Sequence, residues 1–286
     1  MRVEVIKMNI QTFDETKSTL YIVSTPIGNL KDITLRALDV LKEVDLVLAE
    51  DTRVSLKLLN HYDIHKPLLS YEKFNEKERV DTIINRLKEN QNIALISDAG
   101  TPLLSDPGSI LVNKVIEEGF NVVAVPGASA LLTGLVISGI RTEPFTFLGF
   151  LPRKQSEAKK ILINYYNRIE TLVIYESPLR INDTLNLLYE TLGNRYLVLT
   201  RELTKKFETT YRGELKDIKD EIFDTRGEYV IYVEGKLEKI IVSDDIILKK
   251  MDEYIKKGLL EKDAMKMVAK DLNISKKEVY QVIKIK

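Results

Sequence analysis

The sequence predicts an α/β protein with two sheet-containing domains and a small helical segment at its C-terminal end. In the first half, short apolar runs alternate with helix-like segments, a pattern typical of a mostly parallel sheet covered by helices. The second half begins in the same way, but loops rather than regular helices separate its later strands, which indicates a mixed sheet with antiparallel edges. After Ser243 the strand pattern ends, and three short segments with helical spacing follow.

Each predicted element rests on a local pattern of apolar residues. Short apolar runs predict strands at 20–24, 45–49, 93–96, 121–125, 171–175 and 195–199, and an alternating pattern predicts the last strand at 228–233. Helical spacing predicts helices at 34–42, 56–62, 76–90, 131–138, 180–192, 246–256, 261–270 and 275–285. The stretch 144–152 carries two prolines and interrupts the series, so it is the predicted domain boundary. The predicted domains are therefore 20–143 and 144–242, with an N-terminal extension at 1–19 and a helical segment at 243–286.

Composition limits the class of protein. The chain is 44% hydrophobic, and no apolar run approaches the roughly 20 residues of a membrane-spanning helix. Residues 1–19 lack the apolar core of a secretory signal, so we expect a cytoplasmic protein without a membrane partner. The chain has no cysteine, which excludes disulfides, thiolate nucleophiles and cysteine zinc sites. His61 and His65 are its only imidazoles, and a solvated pair beside a helix end is expected rather than a metal site.

Charge is balanced over the whole chain but concentrated near its end. The chain has 43 basic and 43 acidic residues, whereas residues 249–286 have 11 lysines and 6 acidic residues. Gly258 ends one predicted helix, and Ser275 and Glu278 have the spacing of a capping box. Two helices joined by a short turn have the outline of a helix-turn-helix. This segment is expected to grip phosphates, with a protein-interaction or dimerisation role as the alternative.

Two loops that follow predicted strands indicate a ligand site. Residues 97–108, SDAGTPLLSDPG, come directly after the strand at 93–96, and residues 126–130, PGASA, follow the strand at 121–125. Open α/β sheets bind ligands at the carboxyl ends of their strands, and small side chains let a backbone approach a ligand closely. The two loops are therefore expected to form walls of one pocket. Each loop alone is also compatible with an ordinary βα turn.

Seven motifs carry a resemblance to a known family. In chain order they are LYIVSTPIGNLKDITLRAL, LAEDTR, SDAGTPLLSDPG, VPGASA, FLGFLPRK, YESPLRI and TRELTKKFE. With these motifs the chain resembles the ribosomal RNA small-subunit methyltransferase I family of the tetrapyrrole methylase superfamily. The resemblance implies transfer of a methyl group from S-adenosylmethionine to the ribose 2′-oxygen of a cytidine in the decoding region of 16S rRNA, within the small ribosomal subunit. It also implies a tetrapyrrole-methylase-like fold, with the cofactor in the cleft between two α/β domains, and a homodimer.

The resemblance also implies which residues bind the cofactor. No G-x-G-x-x-G motif follows the first strand, so several loops rather than one dinucleotide-binding turn must form the pocket. Relatives that act on tetrapyrroles have Gly-Asp-Pro where this chain has Gly100, Thr101 and Pro102, and Asp98 is expected to replace the missing acid. The predicted cofactor-binding residues are Pro26, Asp98, Ala99, Gly100, Thr101, Pro102, Leu104, Ser129, Ala130, Tyr175, Glu176 and Leu203.

The predicted catalytic residues come from the motif EDTR. Methyl transfer mainly requires that donor and acceptor be aligned, but a carboxylate that takes the proton of a ribose hydroxyl would lower the barrier. Glu50 and Asp51 follow a strand and are the candidates, with Arg53 orienting them or gripping phosphate. The alternative is that EDTR caps the next helix, with Asp51 at its N-terminus.

Basic residues after the strands of the second domain are the predicted RNA contacts. RNA recognition favours unstacked bases, aromatic or arginine stacking and phosphate contacts. The predicted substrate-binding residues are Arg153, Lys154, Arg180, Arg201, Lys205 and Lys206. Each of these charges taken singly is also compatible with an ordinary solvated surface position.

Two other functions share some of these features. A tetrapyrrole C-methyltransferase of cobalamin or sirohaem synthesis would share the core, but it is expected to lack EDTR, ESPLR and the basic C-terminal helices. A non-catalytic nucleic-acid regulator would use the basic tail but would have no need for two converging small-residue loops.

Overall fold

The computed structural model describes residues 13–236, 243–272 and 274–284. The chain forms two compact units, which divide between Gly235 and Lys236. The first unit contains two five-stranded sheets, and both predicted α/β domains fall in it up to Gly235. Residues 1–12 of the predicted N-terminal extension and residues 237–242 of the predicted second domain lie outside the described residues. Within the described ranges, no helix is long and apolar enough to cross a membrane.

The first sheet is parallel throughout, as predicted. Its strands are β1 (Thr19–Val23), β2 (Leu46–Ala49), β3 (Leu68–Ser70), β4 (Ile93–Ile96) and β5 (Asn121–Val125). They lie in the order β3-β2-β4-β1-β5, and every neighbouring pair is parallel. All four residues of β4 are buried because the strand lies inside the sheet and helices cover both faces. This burial explains why the sequence of β4 is continuously apolar.

Two separate cores pack on the faces of this sheet. The helices that follow its strands are α1 (Leu35–Glu43), α2 (Thr52–His61), α3 (Glu76–Lys88), α4 (Ser109–Glu117) and α5 (Ala130–Ser138). Ile93 and Leu95 pack with residues of α3 and α4, whereas Ala94 and Ile96 pack with residues of α1 and α2. Alternate residues of a strand point to opposite faces, so one short apolar run supplies both cores. The carboxyl ends of the strands remain free to carry the loops of a site.

The second sheet is mixed. Its strands are β6 (Phe145–Phe150), β7 (Thr171–Glu176), β8 (Tyr196–Arg201), β9 (Thr209–Glu214) and β10 (Tyr229–Val233). They lie in the order β6-β7-β10-β8-β9, and α6 (Gln155–Leu162), α7 (Ile181–Leu192) and α8 (Leu215–Ile218) pack with the sheet. The pairs of β10 with β7 and β8, and of β8 with β9, are antiparallel, but β6 pairs with β7 in parallel. The prediction of antiparallel edges is therefore wrong at the β6 edge.

The sequence patterns missed three strands and three helices in the first unit. The strands are β3, which has three residues, and the two edges of the second sheet, β6 and β9. Strand β6 forms much of the stretch 144–152 that was predicted as a domain boundary, and its side chains are only partly buried. Edge strands lack the all-round burial that produces a continuous apolar run, so their sequences resemble those of loops. Helices α4, α6 and α8 were also not predicted.

A third core joins the two sheets of the first unit. Val173, Val230 and Tyr232 of the second sheet pack against Leu131 and Leu135 of α5. The Tyr232 hydroxyl donates a hydrogen bond to the Ala130 carbonyl over 2.9 Å. Because α5 packs against the second sheet, the start of this helix is held near the ends of strands from both sheets.

The second unit is helical, as predicted. Its described helices are α9 (Asp244–Lys256), α10 (Glu261–Asp271) and α11 (Lys276–Lys284). Ile247, Met251, Ala264, Val268 and Val279 form its core. The predicted capping box is present: the Ser275 backbone N–H donates to Glu278 Oε2 over 2.7 Å, and the Glu278 N–H donates to Ser275 Oγ over 3.2 Å.

Candidate functional site

A cavity of about 320 Å³, called here the first cavity, lies where strands of both sheets end. From the first sheet it receives Glu50 after β2, the loop after β4 and the start of α5. From the second sheet it receives the end of β7, Leu203 after β8 and the beginning of β10. Because β10 runs antiparallel to β7 and β8, its first residue, Tyr229, lies beside Glu176 and Arg201 at their ends. The lining residues are Ile27, Glu50, Asp98, Ala99, Gly100, Thr101, Leu104, Ser105, Asp106, Ser129, Ala130, Phe150, Tyr175, Glu176, Ser177, Pro178, Leu203, Gly227, Glu228, Tyr229 and Val230.

Hydrogen bonds tie the loop after β4 to the residues after β1 and β5. Thr25 and Gly100 exchange backbone hydrogen bonds, with N···O distances of 2.8 and 3.1 Å. The Thr101 hydroxyl donates to the Ala128 carbonyl over 3.2 Å and accepts from Ser24 Oγ over 3.1 Å. The two small-residue loops are therefore held together through the end of β1, and both line the first cavity.

The first-sheet side of the cavity is acidic. Glu50, Asp98 and Asp106 all line it. Burial, reinforced by Glu50 and Asp98, raises the pKa of Asp106 to about 7. Burial also raises the pKa of Glu50, and the neighbouring carboxylates of Asp98, Glu72 and Asp51 raise it further. The Asp98 carboxylate accepts a hydrogen bond from the Asp51 backbone N–H over 3.0 Å, whereas the Asp106 carboxylate has no such partner among the described residues.

Buried Glu76 of α3 holds the loop that carries Asp106. Its Oε1 accepts hydrogen bonds from the Gly108 backbone N–H over 2.9 Å and from the Tyr71 hydroxyl over 3.0 Å. Leu103 and Ser105 adopt positive φ angles of 70° and 83°, which side-chain-bearing residues rarely adopt. The anchored loop places Leu104, Ser105 and Asp106 on the cavity wall.

The second-sheet wall is built around Tyr175 and Glu176. The Tyr175 ring packs edge-on against Phe147 and Phe150, at centroid distances of 4.8 and 5.7 Å, and its hydroxyl accepts from the Leu131 N–H over 3.2 Å. Glu176 is buried, and its carboxylate accepts from the Ser177 N–H over 2.8 Å and from the Thr184 hydroxyl over 2.6 Å. These two hydrogen bonds hold the Glu176 carboxylate in place through residues that follow it closely in the chain.

Ten of the twelve predicted cofactor-binding residues line the first cavity. Pro26 and Pro102 do not. Pro26 lies on the wall of a neighbouring cavity, and Pro102, which belongs to the loop after β4, is buried.

Of the three predicted catalytic residues, only Glu50 lines the first cavity. Asp51 is the N-cap of α2, where its Oδ1 accepts from the Arg53 backbone N–H over 2.8 Å. The Arg53 guanidinium also pairs with both carboxylate oxygens of Asp51, at 3.0 and 2.6 Å, and these hydrogen bonds lower the pKa of Asp51 to about 2. The geometry of Asp51 is that of the alternative interpretation, in which EDTR caps the following helix.

None of the six predicted substrate-binding cations lines the first cavity, and two are bound within the fold. Arg180 donates to the Leu151 and Pro152 carbonyls over 3.1 and 3.2 Å, and Arg201 forms an ion pair with Asp224 at 2.9 Å. Lys205 pairs with Glu202 at 2.8 Å and lines the neighbouring cavity. The remaining three, which are exposed, are Arg153, Lys154, which pairs with Glu157 at 3.4 Å, and Lys206, which lies 5.5 Å from the Phe207 ring centroid.

Sequence reasoning missed Asp106 and the stretch 227–230. Asp106 lies inside the loop that the sequence singled out, but no local pattern distinguishes a lining acid from a turn-forming one. The stretch 227–230 reaches the cavity only because β10 inserts between β7 and β8, and strand order is not readable from a single strand.

Comparisons with known proteins agree with this architecture. A model of the tetrapyrrole (corrin/porphyrin) methylases matches residues 19–219. A ribosomal RNA small subunit methyltransferase I of Bacillus subtilis (strain 168) is 44% identical over 278 residues, covering 93% of this chain and 94% of the relative. That of Haemophilus influenzae is 46% identical over 269 residues, covering 92% and 95%. A crystal structure of diphthine synthase superposes with a TM-score of 0.60 at 16% identity, covering 77% of this chain and 90% of that one, and it shows the fold alone.

Two α/β sheets meeting around a loop-built cavity define a methylase-type architecture without a Rossmann glycine motif. The chain belongs to the tetrapyrrole (corrin/porphyrin) methylase family, and within it to the group of the ribosomal RNA small subunit methyltransferase I proteins. The resemblance that the seven motifs indicated is confirmed.

Proposed function

We propose that the protein is an S-adenosylmethionine-dependent methyltransferase that modifies the ribose 2′-hydroxyl of a cytidine in the decoding region of 16S rRNA. The observation that carries the proposal is a cavity formed by loops of both sheets in a chain that closely matches small subunit rRNA methyltransferases. These relatives favour an RNA substrate over the alternative of a tetrapyrrole. The choice of ribose oxygen and of cytidine rests on the motif resemblance.

The residues present fit the proposed cofactor. Every charged side chain that lines the first cavity among the described residues is acidic, and the Asp106 carboxylate is unpartnered. Burial, reinforced by repulsion from Glu50 and Asp98, raises the pKa of Asp106, and the sulfonium and ammonium groups of the cofactor would offset both effects by stabilising the carboxylate. Ala99, Gly100 and Ser129 bring the backbone to the cavity surface, and Leu104 and Leu203 supply apolar contacts for a purine ring.

The chain contributes alignment and proton removal. When bound, S-adenosylmethionine supplies a methyl carbon on a positively charged sulfur, which makes that carbon open to displacement by an oxygen nucleophile. Glu50 accepts the proton of the ribose hydroxyl, because it lines the cavity and its raised pKa brings it closer to that of an effective general base at neutral pH. Asp51 and Arg53 position Glu50: the Asp51 backbone is bound to Asp98, and its side chain starts α2.

The proposal extends to the setting of the reaction. The substrate is 16S rRNA in the small ribosomal subunit, the enzyme is a cytoplasmic homodimer, and the lysine-bearing helices α10 and α11 add phosphate contacts. The exposed apolar side chains of Leu132 and Val136 on α5, which are 50% and 72% accessible, support a self-association surface. Each sheet belongs to its own domain, and loops of both domains contact the bound cofactor.

Two measurements test the proposal. Calorimetry with S-adenosylmethionine is expected to show one site per chain. Incubation with labelled methyl donor and unmodified 30S subunits, followed by nuclease digestion and mass spectrometry, is expected to place the label on one ribose. Label on a base, on tetrapyrrole precursors only, or no cofactor binding would overturn the proposal.

A further inference from the structure

A second cavity of about 410 Å³ adjoins the first. The two cavities share Ile27, Asp98, Ala99 and Glu228 as lining residues. A ligand in either cavity therefore contacts the same short stretch after β4. The volume lies within the roughly 300–1,000 Å³ typical of small-molecule pockets.

One face of α2 forms a wall of the second cavity. Val54, Lys57, Leu58 and His61 line it and follow one another at the spacing of a single helical face. This face offers apolar surface in Val54 and Leu58, and basic groups in Lys57 and His61. A flat base with an attached phosphate presents the complementary chemistry.

Residues 26–28 form another part of the lining of the second cavity, and this segment packs closely on the loop after β8. Any side chain at Gly28 would come within 2.8 Å of Thr204 Oγ1 and 2.9 Å of the Leu203 carbonyl oxygen. The Asn29 backbone N–H donates to Thr204 Oγ1 over 3.0 Å. Lys205, which lines the second cavity, is held by Glu202 at 2.8 Å and by Glu228 at 3.5 Å.

The two cavities differ in charge. The charged residues that line the first cavity within the described ranges are all acidic, whereas the second adds the lysines Lys57 and Lys205 and the imidazole of His61 to the shared Asp98 and Glu228. A cationic ligand is favoured in the first cavity and a ligand with an anionic group in the second.

A buried hydroxyl on the wall of the second cavity lacks a partner. Ser55 is 2% exposed, it lines this cavity, and its Oγ has no hydrogen-bond partner among the described residues. Buried polar groups are almost always hydrogen-bonded, so an orphan hydroxyl beside a cavity indicates a polar group of a ligand or a bound water.

We propose that the second cavity holds the target nucleotide, extruded from the RNA, with its phosphate toward Lys57 and His61 and its ribose toward Asp98 and Ala99. The proposal rests on the proposed function and adds the acceptor subsite to it. Proteins that recognise single-stranded RNA bind bases that have left their stack, and enzymes that act on a base draw the nucleotide into a pocket. Methyl transfer also requires donor and acceptor within about 3–3.5 Å of each other, and the shared lining residues place the two cavities side by side.

The decisive experiment compares two tryptophan variants on α2. Val54 and Leu56 are both exposed, at 42% and 48%, but only Val54 lines the second cavity. We expect Val54→Trp to reduce kcat/KM on unmodified 30S subunits about tenfold or more, with S-adenosylmethionine affinity unchanged by calorimetry. Leu56→Trp should match the wild type in both measurements.

The outcomes separate this proposal from the proposed function. If Val54→Trp methylates 30S subunits as fast as Leu56→Trp, the second cavity does not hold the nucleotide. If the wild type neither binds S-adenosylmethionine nor methylates 30S subunits, the proposed function fails first.

A charge reversal tests the phosphate contact without filling the cavity. Lys57→Glu is expected to weaken 30S binding and to flatten its salt dependence, because one fewer phosphate is neutralised. Lys42→Glu makes the same charge change at an exposed position of α1 outside both cavities. Equal salt dependence of the two variants would overturn the assignment of Lys57 to phosphate.

Discussion

Replacing Asp106 by Asn should stabilise the ligand-free protein at alkaline pH, because the folded state disfavours the charged carboxylate. Burial and two neighbouring acids raise the pKa of Asp106 from 3.8 to about 7. Each pH unit of difference corresponds to about 1.4 kcal/mol, which sets a ceiling of about 4 kcal/mol on the cost of this charge. Asp106 is only partly buried and faces an open cavity, so water reduces both the cost of burial and the repulsion, and we expect about 1–2 kcal/mol.

The sign of the pH dependence follows from proton binding. Because the folded state holds this proton more tightly than the unfolded chain, the wild type loses stability as pH rises from about 4 through about 7. Asn carries no charge at any of these pH values. The stability advantage of the variant should therefore build up between about pH 4 and about pH 7 and stay constant above that range.

Thermal unfolding at pH 5 and pH 8 measures the effect. We expect Asp106→Asn to melt about 2–6 °C above the wild type at pH 8, with a clearly smaller difference at pH 5. Asp39→Asn, at an exposed position of α1, is the matched control and should show no such pH-dependent gain. An equal difference at both pH values, or a loss at pH 8, would refute the reasoning. The same variant should bind S-adenosylmethionine more weakly, since it removes a carboxylate that faces the cation.

Three further predictions concern packing and capping. Gly134→Ala places a methyl group on the Tyr232 hydroxyl and should lower the free energy of unfolding by about 1–3 kcal/mol in urea titrations. A Gly134→Ala, Tyr232→Phe double variant should recover part of this loss. Equal losses in the single and double variants would contradict the steric overlap. Glu76→Gln weakens the hold on the Gly108 N–H and should speed hydrogen exchange in residues 103–108, whereas unchanged exchange would show that Glu76 does not anchor this loop. Ser275→Ala removes one of the two hydrogen bonds of the capping box and should destabilise the helical unit by about 1 kcal/mol, measured by circular dichroism. Ser243→Ala is the control, because the Ser243 side chain makes no cap hydrogen bond.

The parallel sheet could be predicted because its inner strands are buried on both faces, and this burial is visible in their own apolar residues. The stretch 93–96, IALI, supplies two cores at once, and only an apolar run can do so. The capping box at Ser275 is equally local, since its two partners lie three positions apart. Features of this kind are determined within one short segment.

Features that depend on distant segments could not be predicted. Phe145–Phe150 is an edge strand because it pairs with β7, and no pattern within the stretch itself indicates this pairing. Asp51 and Glu50 are adjacent acids, yet one caps α2 and the other faces the cavity, since the backbone turns between them. Arg180 pairs with Glu176 four residues before it at 3.5 Å, but its carbonyl acceptors and the Asp224 partner of Arg201 lie in other segments, so neither arginine could be told from a free surface cation.

The position of β10 has a consequence for how the chain is made. This strand lies between β7 and β8, although it is the final strand of its sheet to be synthesised. Until Val233 has left the ribosome, the inner edges of β7 and β8 lack their partner, whereas every strand of the parallel sheet has already been translated. We therefore expect the nascent chain to acquire its N-terminal half first and to expose the unpaired edges of β7 and β8 from the synthesis of Glu176 until that of Val233, a period in which chaperones would find these edges accessible.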